Sequence, residues 1–405
     1  MKKSIVLYIG NFSFPVGNAA GKRVYANGKL LNQLGYEVIF IGMDKEIDQS
    51  QSLESTKKVY DNFVYYNFPY PNKNIDWMNY RKVFDELESL LRDQYIIDNL
   101  SFVIYYGSPR LSFFNTKLID FCKKQKIKVI ADCVDWLTVK TNNSLFNIVK
   151  WFDNNYQKAY ANKKADGIIA ISKYLSNYYN KYGCKTVIIP PLSPENCRPT
   201  SNAVLNNDKK IITYAGIPFR RGKQVKDVNN LKDRIDKTIK LFYRAKKSGC
   251  DFTFNIYGFS KDEYLEAIPM QKKYVEELGE SIIFHGHKPN DYVVNSVINS
   301  DFTILIRDVN RDTSAGFPTK VSESISSGTP VITTKTSDLE DYIVDGKNGY
   351  FLSVNNEEKN LKEIIEILRT DRVSINKMKL HCRENNLFYF KHFQNQLNCF
   401  LNSLI

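Results

Sequence analysis

A chain of 405 residues with 43% apolar content and a formal charge of +13 exceeds what one hydrophobic core usually supports, so two domains of about 200 residues each are expected. The composition excludes collagen-like, coiled-coil and disordered classes. The seven cysteines are scattered and never form a Cys-x-x-Cys pair, and the four histidines lack metal spacing, which indicates neither a disulfide framework nor a zinc site.

The chain begins with a basic end and a short apolar run, SIVLYI (4–9). The run lacks an Ala-x-Ala ending and flows into a loop with Gly17 and Gly21, then a helical pattern carrying Val24, Leu31 and Leu34 on one face and stopped by Gly35. That is the look of a first β–α unit rather than of a signal peptide. Strand-like runs recur at 37–42, 102–107, 127–132, 166–172 and 185–190, separated by helix-length segments. Continuous apolar strands of this kind indicate a parallel sheet covered on both faces. At 190–208 the pattern breaks into PPLSPENCRPTSNAVLNND, rich in Pro, Ser and Asn, which reads as a linker. A second series follows at 210–216, 251–258, 281–286, 301–306 and 329–334. The expected organisation is a first α/β domain over 1–190, a linker over 191–208, a second α/β domain over 209–385 and a terminal helix over 386–405. In that helix Phe393, Leu397, Phe400 and Leu404 share one face. No run approaches the roughly 18 apolar residues of a membrane span, so membrane contact is expected to be peripheral. A cytoplasmic setting fits the cysteine usage.

Two doubly wound domains bind ligands at the carboxyl ends of their strands. After the run DFTILI (301–306) comes AGFPTKVSESISSGTPVI (315–332). Gly316 permits close backbone approach, Pro318 and Thr319 suit a helix start, Lys320 adds a cation in the first turn, and Gly328 ends the helix. A helix N-terminus is worth about 0.3–1 kcal/mol to an anion, and up to about 2 kcal/mol when partly buried. Glu323 lies further along, where a carboxylate can accept hydrogen bonds from two ribose hydroxyls.

This segment resembles the donor site of retaining glycosyltransferases with the GT-B fold, family four, also called glycosyl transferases group 1. The family signature is Glu-Gly-Phe-Gly with a second Glu eight residues after the first. Gly316, Phe317 and Glu323 fall on matching positions, and SGTPVI matches the stretch that follows. ADGIIAISKYLSNYYNKYGCKTVIIPP (165–191) resembles the end of the family's first domain, and the AG of YAGIP (214–218), with Gly216, resembles the opening of its second. Ala315 stands where the family has its first signature Glu, and Pro318 replaces the second Gly. The resemblance implies donor contacts from Gly17, Gly216, Gly316, Phe317, Thr319, Lys320 and Glu323. It also implies an Arg–Lys pair that neutralises the leaving diphosphate, electrostatic stabilisation of charge growing in the transition state. Lys232 resembles that lysine, with Lys223 as a rival, and Arg220 or Arg221 supplies the guanidinium. Asp132 and Asp135, in ADCVDW, lie where the family places groups that orient the transferred sugar. Asp308 and Asp312 are candidates to compensate for the carboxylate missing at 315.

The chain has no Asp-x-Asp and no G-x-G-x-x-G, so no nicotinamide or flavin cofactor is indicated, and the resemblance implies metal-independent transfer with retention. The expected partners are a UDP- or GDP-sugar and a glycan or lipid-linked glycan acceptor, as in bacterial surface polysaccharide synthesis; no nucleic-acid module is recognisable. Residues 1–200 hold 27 Lys and Arg against 18 Asp and Glu. With the aromatic, basic stretch at 144–164, this basic half suits an anionic membrane surface, though that stretch reads equally as packed core. A nucleotide-sugar epimerase and a non-catalytic nucleotide-sugar-binding scaffold are alternatives on the same architecture.

Overall fold

A computed structural model describes residues 4–15, 18–48, 50–71, 80–107, 112–136, 145–195 and 209–405. Gly17 and most of the expected linker, 196–208, lie outside the described residues. The chain divides into two compact units. The first comprises Met1–Pro194, Ala315–Phe317 and Phe390–Ile405, and the second comprises Glu195–Ser314 and Pro318–Tyr389.

The first unit is built on an eight-stranded sheet of β1 (Ile5–Gly10), β2 (Glu37–Asp44), β3 (Lys58–Tyr60), β4 (Phe63–Pro69), β5 (Leu100–Tyr106), β6 (Lys128–Cys133), β7 (Gly167–Ala170) and β8 (Thr186–Ile188), in the order β3-β4-β2-β1-β5-β6-β7-β8. All neighbours are parallel except β3 and β4, which form a hairpin. Its two-residue turn is Asp61 and Asn62, both at positive φ (48° and 64°), a conformation these residue types tolerate and the hairpin twist favours. Every residue of β1 is buried, as expected for a central strand covered on both faces. Helix α1 (Ala19–Gln33) is capped by the Asn18 side chain, which accepts from the Gly21 amide, and it is followed by Gly35 at φ +92°. Helix α2 (Leu145–Tyr156) continues into a π-helical turn at Gln157–Ala161. The expected terminal helix forms at Gln394–Leu404 and belongs to this first unit. Leu397, Phe400 and Leu404 are buried, and Phe400 fills the space beside Gly167, where a Cβ would come within 2.6 Å of its ring.

Six parallel strands make the second sheet: β9 (Lys210–Ala215), β10 (Phe252–Tyr257), β11 (Ile282–Phe284), β12 (Phe302–Leu305), β13 (Val331–Thr334) and β14 (Gly349–Leu352), ordered β11-β10-β9-β12-β13-β14. In sequence order that is 3-2-1-4-5-6, the nucleotide-binding arrangement whose direction reverses between the first and fourth strands. Helix α3 (Ile235–Lys247) follows β9, and helix α4 (Thr319–Ser326) precedes β13. Helix α4 ends where expected, with Gly328 at φ +76°. Strands β3, β4 and β14 were not expected from the sequence. Among the described residues no helix is long and apolar enough to cross a membrane.

Candidate functional site

The sheet reversal of the second unit places the carboxyl ends of β9 and β12 side by side, and charged residues collect there. Asp233, just before α3, is buried and receives Lys320 Nζ at 2.8 Å on Oδ2 and the Tyr214 hydroxyl at 3.0 Å on the same oxygen. Arg307, directly after β12, donates through Nε and Nη2 to Oδ1, each at 2.8 Å. Burial opposes ionisation of Asp233, but Lys320 and Arg307 overcome it and hold the carboxyl well below the usual carboxylate range. Burial, and then the neighbouring Asp233 charge, pushes the Tyr214 phenol well above its ordinary value, so it stays neutral.

Two cations therefore share one carboxylate, leaving one positive charge in excess. Arg307 Nη1 is buried with no hydrogen-bond partner. The adjoining charges instead balance. Arg234 pairs with Asp236 at 2.7 Å and with Asp308, and Lys237 reaches Asp308 at 2.6 Å. Asp308 is lowered as well: burial works against ionisation, and the hydrogen bond from Lys237 and the charge of Arg234 prevail.

Backbone geometry holds this cluster open. Gly216 follows β9 at φ +152°, and a Cβ there would lie 2.3 Å from Lys320 Cε. Gly258, after β10 at φ +118°, has no room either, because a Cβ would lie 2.5 Å from the Gly216 carbonyl oxygen. Pro318 caps α4 with no side-chain hydrogen bond to its first turn; the Val321 amide donates to the Pro318 carbonyl at 2.9 Å, and the Thr319 and Lys320 amides precede any intrahelical acceptor, as suits an anion.

Of the residues expected at the site, the structure brings Gly216 and Lys320 together. Arg221 is exposed, pairs with Glu263 at 2.8 Å and donates to the Gly258 carbonyl at 2.8 Å, which fixes the long loop after β9 against β10. Arg220, Lys223 and Lys232 are exposed on that loop, and Glu323 is exposed on α4 beyond half-buried Thr319. Gly316 and Phe317 are buried, as is Ala315, with no exposed surface at all. Asp135 is exposed after β6. Asp132 is fully buried and occupied: Arg23 binds it at 2.7, 3.0 and 3.2 Å, and the Tyr8 hydroxyl donates to it at 2.5 Å. The same Arg23 donates to the Ile189 and Pro190 carbonyls. Asp132 is thus a structural anchor rather than a group free to orient a sugar hydroxyl. Likewise, Asp308 is committed to Arg234 and Lys237, which removes it as a free substitute for a carboxylate at 315. Asp233, Arg307 and Tyr214 were missed. The signal available for them was position, a polar residue within or just past the end of a buried strand or before a helix.

Residues 225–386 match the family model described as Glycosyl transferases group 1. This segment, about two fifths of the chain, is similar to the group 1 glycosyltransferase domain. It contains Asp233, Arg307, Lys320 and Glu323. Across the whole chain, solved structures share the fold. Sucrose-phosphate synthase from Thermosynechococcus elongatus is 15% identical with a TM-score of 0.70 over 99% of each chain. A glycosyltransferase from Rickettsia africae is 14% identical with a TM-score of 0.64, covering 100% of this chain and 99% of that one. Anabaena HepE in complex with UDP is 12% identical with a TM-score of 0.60, covering 98% and 99%. At these identities the likeness establishes the two-domain GT-B fold. No curated protein sequence matches the chain. Among the described residues no three His, Cys, Asp or Glu side chains group as metal ligands.

Proposed function

We propose that the protein is a retaining glycosyltransferase that moves a hexose from a UDP- or GDP-sugar to a hydroxyl of a growing glycan, in the assembly of a surface polysaccharide. The observation that carries this reading is the excess positive charge of Lys320 and Arg307 over Asp233 at the β9/β12 switch, inside the group 1 domain. A nucleoside diphosphate is the anion that such a switch point receives in open α/β sheets. The relative solved with UDP supports that choice of ligand.

In this reading the diphosphate lies against the first turn of α4 and the Lys320 ammonium, while Glu323 accepts hydrogen bonds from the ribose. Lys232 and Arg221, with Arg220 beside it, stabilise the charge that grows on the leaving diphosphate. Gly316, Phe317 and Thr319 shape the donor loop, and Asp135 orients a hydroxyl. Positioning and charge stabilisation supply most of the rate, with no protein nucleophile and no metal. Retention follows from front-face attack, in which the leaving phosphate takes the acceptor proton.

The test is release of free sugar from UDP-, GDP-, ADP- and TDP-sugars by the wild type and by Glu323→Gln, Lys320→Met and Lys232→Ala. Slow hydrolysis of one donor class, reduced in the variants, is expected. Equal release by all four proteins would remove these residues from the mechanism. Turnover of the donor to an epimer with no acceptor present would replace transfer by epimerisation.

A further inference from the structure

Helix α2 is built inside out. Its inward face carries the polar residues: Asp153 accepts from the Ser112 amide and hydroxyl, and Gln157, in the π-helical turn, accepts from Asn115 at 3.0 Å and donates to Asn162. Its outward face carries large apolar ones. Val149 is 63% exposed and Phe152 54%, with Ile148 and Trp151 also exposed beside them. The i, i+4 spacing of Phe152 and Tyr156 lines them up, and the stripe runs on to exposed Tyr160, whose ring lies 4.9 Å from that of Tyr156. Phe113, 63% exposed on the neighbouring helix, stacks on Tyr156 at 5.4 Å and widens the stripe. Scattered surface apolar residues need no explanation, but a contiguous aromatic stripe on a helix whose polar face is buried marks a surface that something covers.

Charge identifies the occupant. Residues 145–164 hold four lysines and one aspartate; Asp153 and Lys158 are both buried, which leaves the remaining charges of the segment all positive. Lys163 and Lys164 follow the stripe directly. Lys163 Nζ lies 3.0 Å from the ring centroid of Tyr182, which is not part of the stripe, and Lys164 Nζ lies 4.4 Å from that of Tyr160 while also pairing with Asp120 at 3.8 Å, so the cations border the stripe at its Tyr160 end. A second copy docking on this face would set two positive rims against each other, because an isologous contact joins like to like. An anionic lipid surface satisfies both features: tryptophan and tyrosine rings sit at the headgroup level, and lysines gain from anionic headgroups.

We infer that the exposed stripe of α2 with Phe113 is a membrane-docking surface that lays the first unit on an anionic bilayer. The inference rests on this surface alone, so it stands apart from the donor chemistry and tells where the acceptor is met. It is tested with the full chain and vesicles of phosphatidylcholine, with and without phosphatidylglycerol. Sedimentation with the anionic vesicles only, weakened by salt, is expected. The variant Val149→Ser/Phe152→Ser, changed at exposed positions, should bind about tenfold more weakly while keeping donor hydrolysis and thermal stability. Met270→Ser, at an exposed apolar residue of the second unit, should bind as the wild type does. The inference is overturned by absence of sedimentation with anionic vesicles, by equal binding of the double variant, or by a concentration-dependent dimer that the double variant abolishes.

Discussion

Lys320 Nζ sits 2.8 Å from Asp233 Oδ2, joining the first turn of α4 to the residue that precedes α3. The lysine is half-buried and the aspartate buried, so the pair is held in a fixed geometry at the end of β9 rather than sampled by mobile side chains. Arg307 shares the carboxylate, which leaves the cluster cationic and poised for an anion.

Gly216→Ala tests the close approach. A methyl at 216 would meet Lys320 Cε and Nζ and displace the ammonium, and the φ of +152° is one that L residues rarely adopt. The expected outcome is a rise in donor KM of at least about tenfold, with a stability loss of about 1–2 kcal/mol, measured by steady-state kinetics and thermal unfolding.

Asp233→Asn should destabilise the second unit at neutral pH by about 3 kcal/mol, because it leaves Lys320 and Arg307 without their counter-charge. The folded carboxyl titrates below its unfolded value of about 3.9, so its contribution is fully present above that value and is lost as pH falls through the lower folded value. The difference between wild type and variant in urea unfolding should therefore narrow below about pH 4. A constant difference down to the acid limit would contradict the ionised pair.

Lys320→Met should weaken nucleotide-sugar binding by about 1.5–3 kcal/mol, the worth of a hydrogen bond to a charged group. The loss should shrink at high salt. Glu323→Gln should lower affinity for the intact nucleotide while leaving binding of inorganic diphosphate unchanged, since its assigned partner is the ribose. Titration calorimetry with UDP and with diphosphate separates the two effects.

Lys379 offers a test at alkaline pH. Burial drives its ammonium down to about 8, even though the Ile298 and Ser300 carbonyls accept from it. The unfolded lysine titrates near 10.4, so between about pH 8 and 10 the unfolded chain binds more protons and this group makes stability rise with pH. Lys379→Met should abolish that rise, worth on the order of 3 kcal/mol over the window, in unfolding curves across that range.

Much of the fold was legible locally. The strand runs of both series and the stops at Gly35 and Gly328 could be read because apolar runs and glycine conformations are properties of a few adjacent residues. β4 escaped notice although the Asp61–Asn62 turn before it was a usable sign, and the short β14 was hidden behind a turn at Gly346. In the candidate site, Gly216 and Lys320 could be picked out from loop and helix-start patterns. Lys232 resembles the family's lysine by its place before the helix, but sequence does not tell which of neighbouring side chains turns inward. Lys232 faces solvent, and Asp233 and Arg234 are buried.

Two α/β series, a loop and helix start at 315–319 and a basic first half are readable from the sequence, because period, turn chemistry and charge are written along the chain. Which charges meet depends on the folded chain. Asp233 is joined to Arg307 across 74 positions and to Lys320 across 87 because a parallel sheet returns every strand to the same edge. The fold also decided that the last helix packs with the first unit and that α2 turns its aromatic face outward. An apolar stripe of helical period has the same pattern whether a core or a partner covers it.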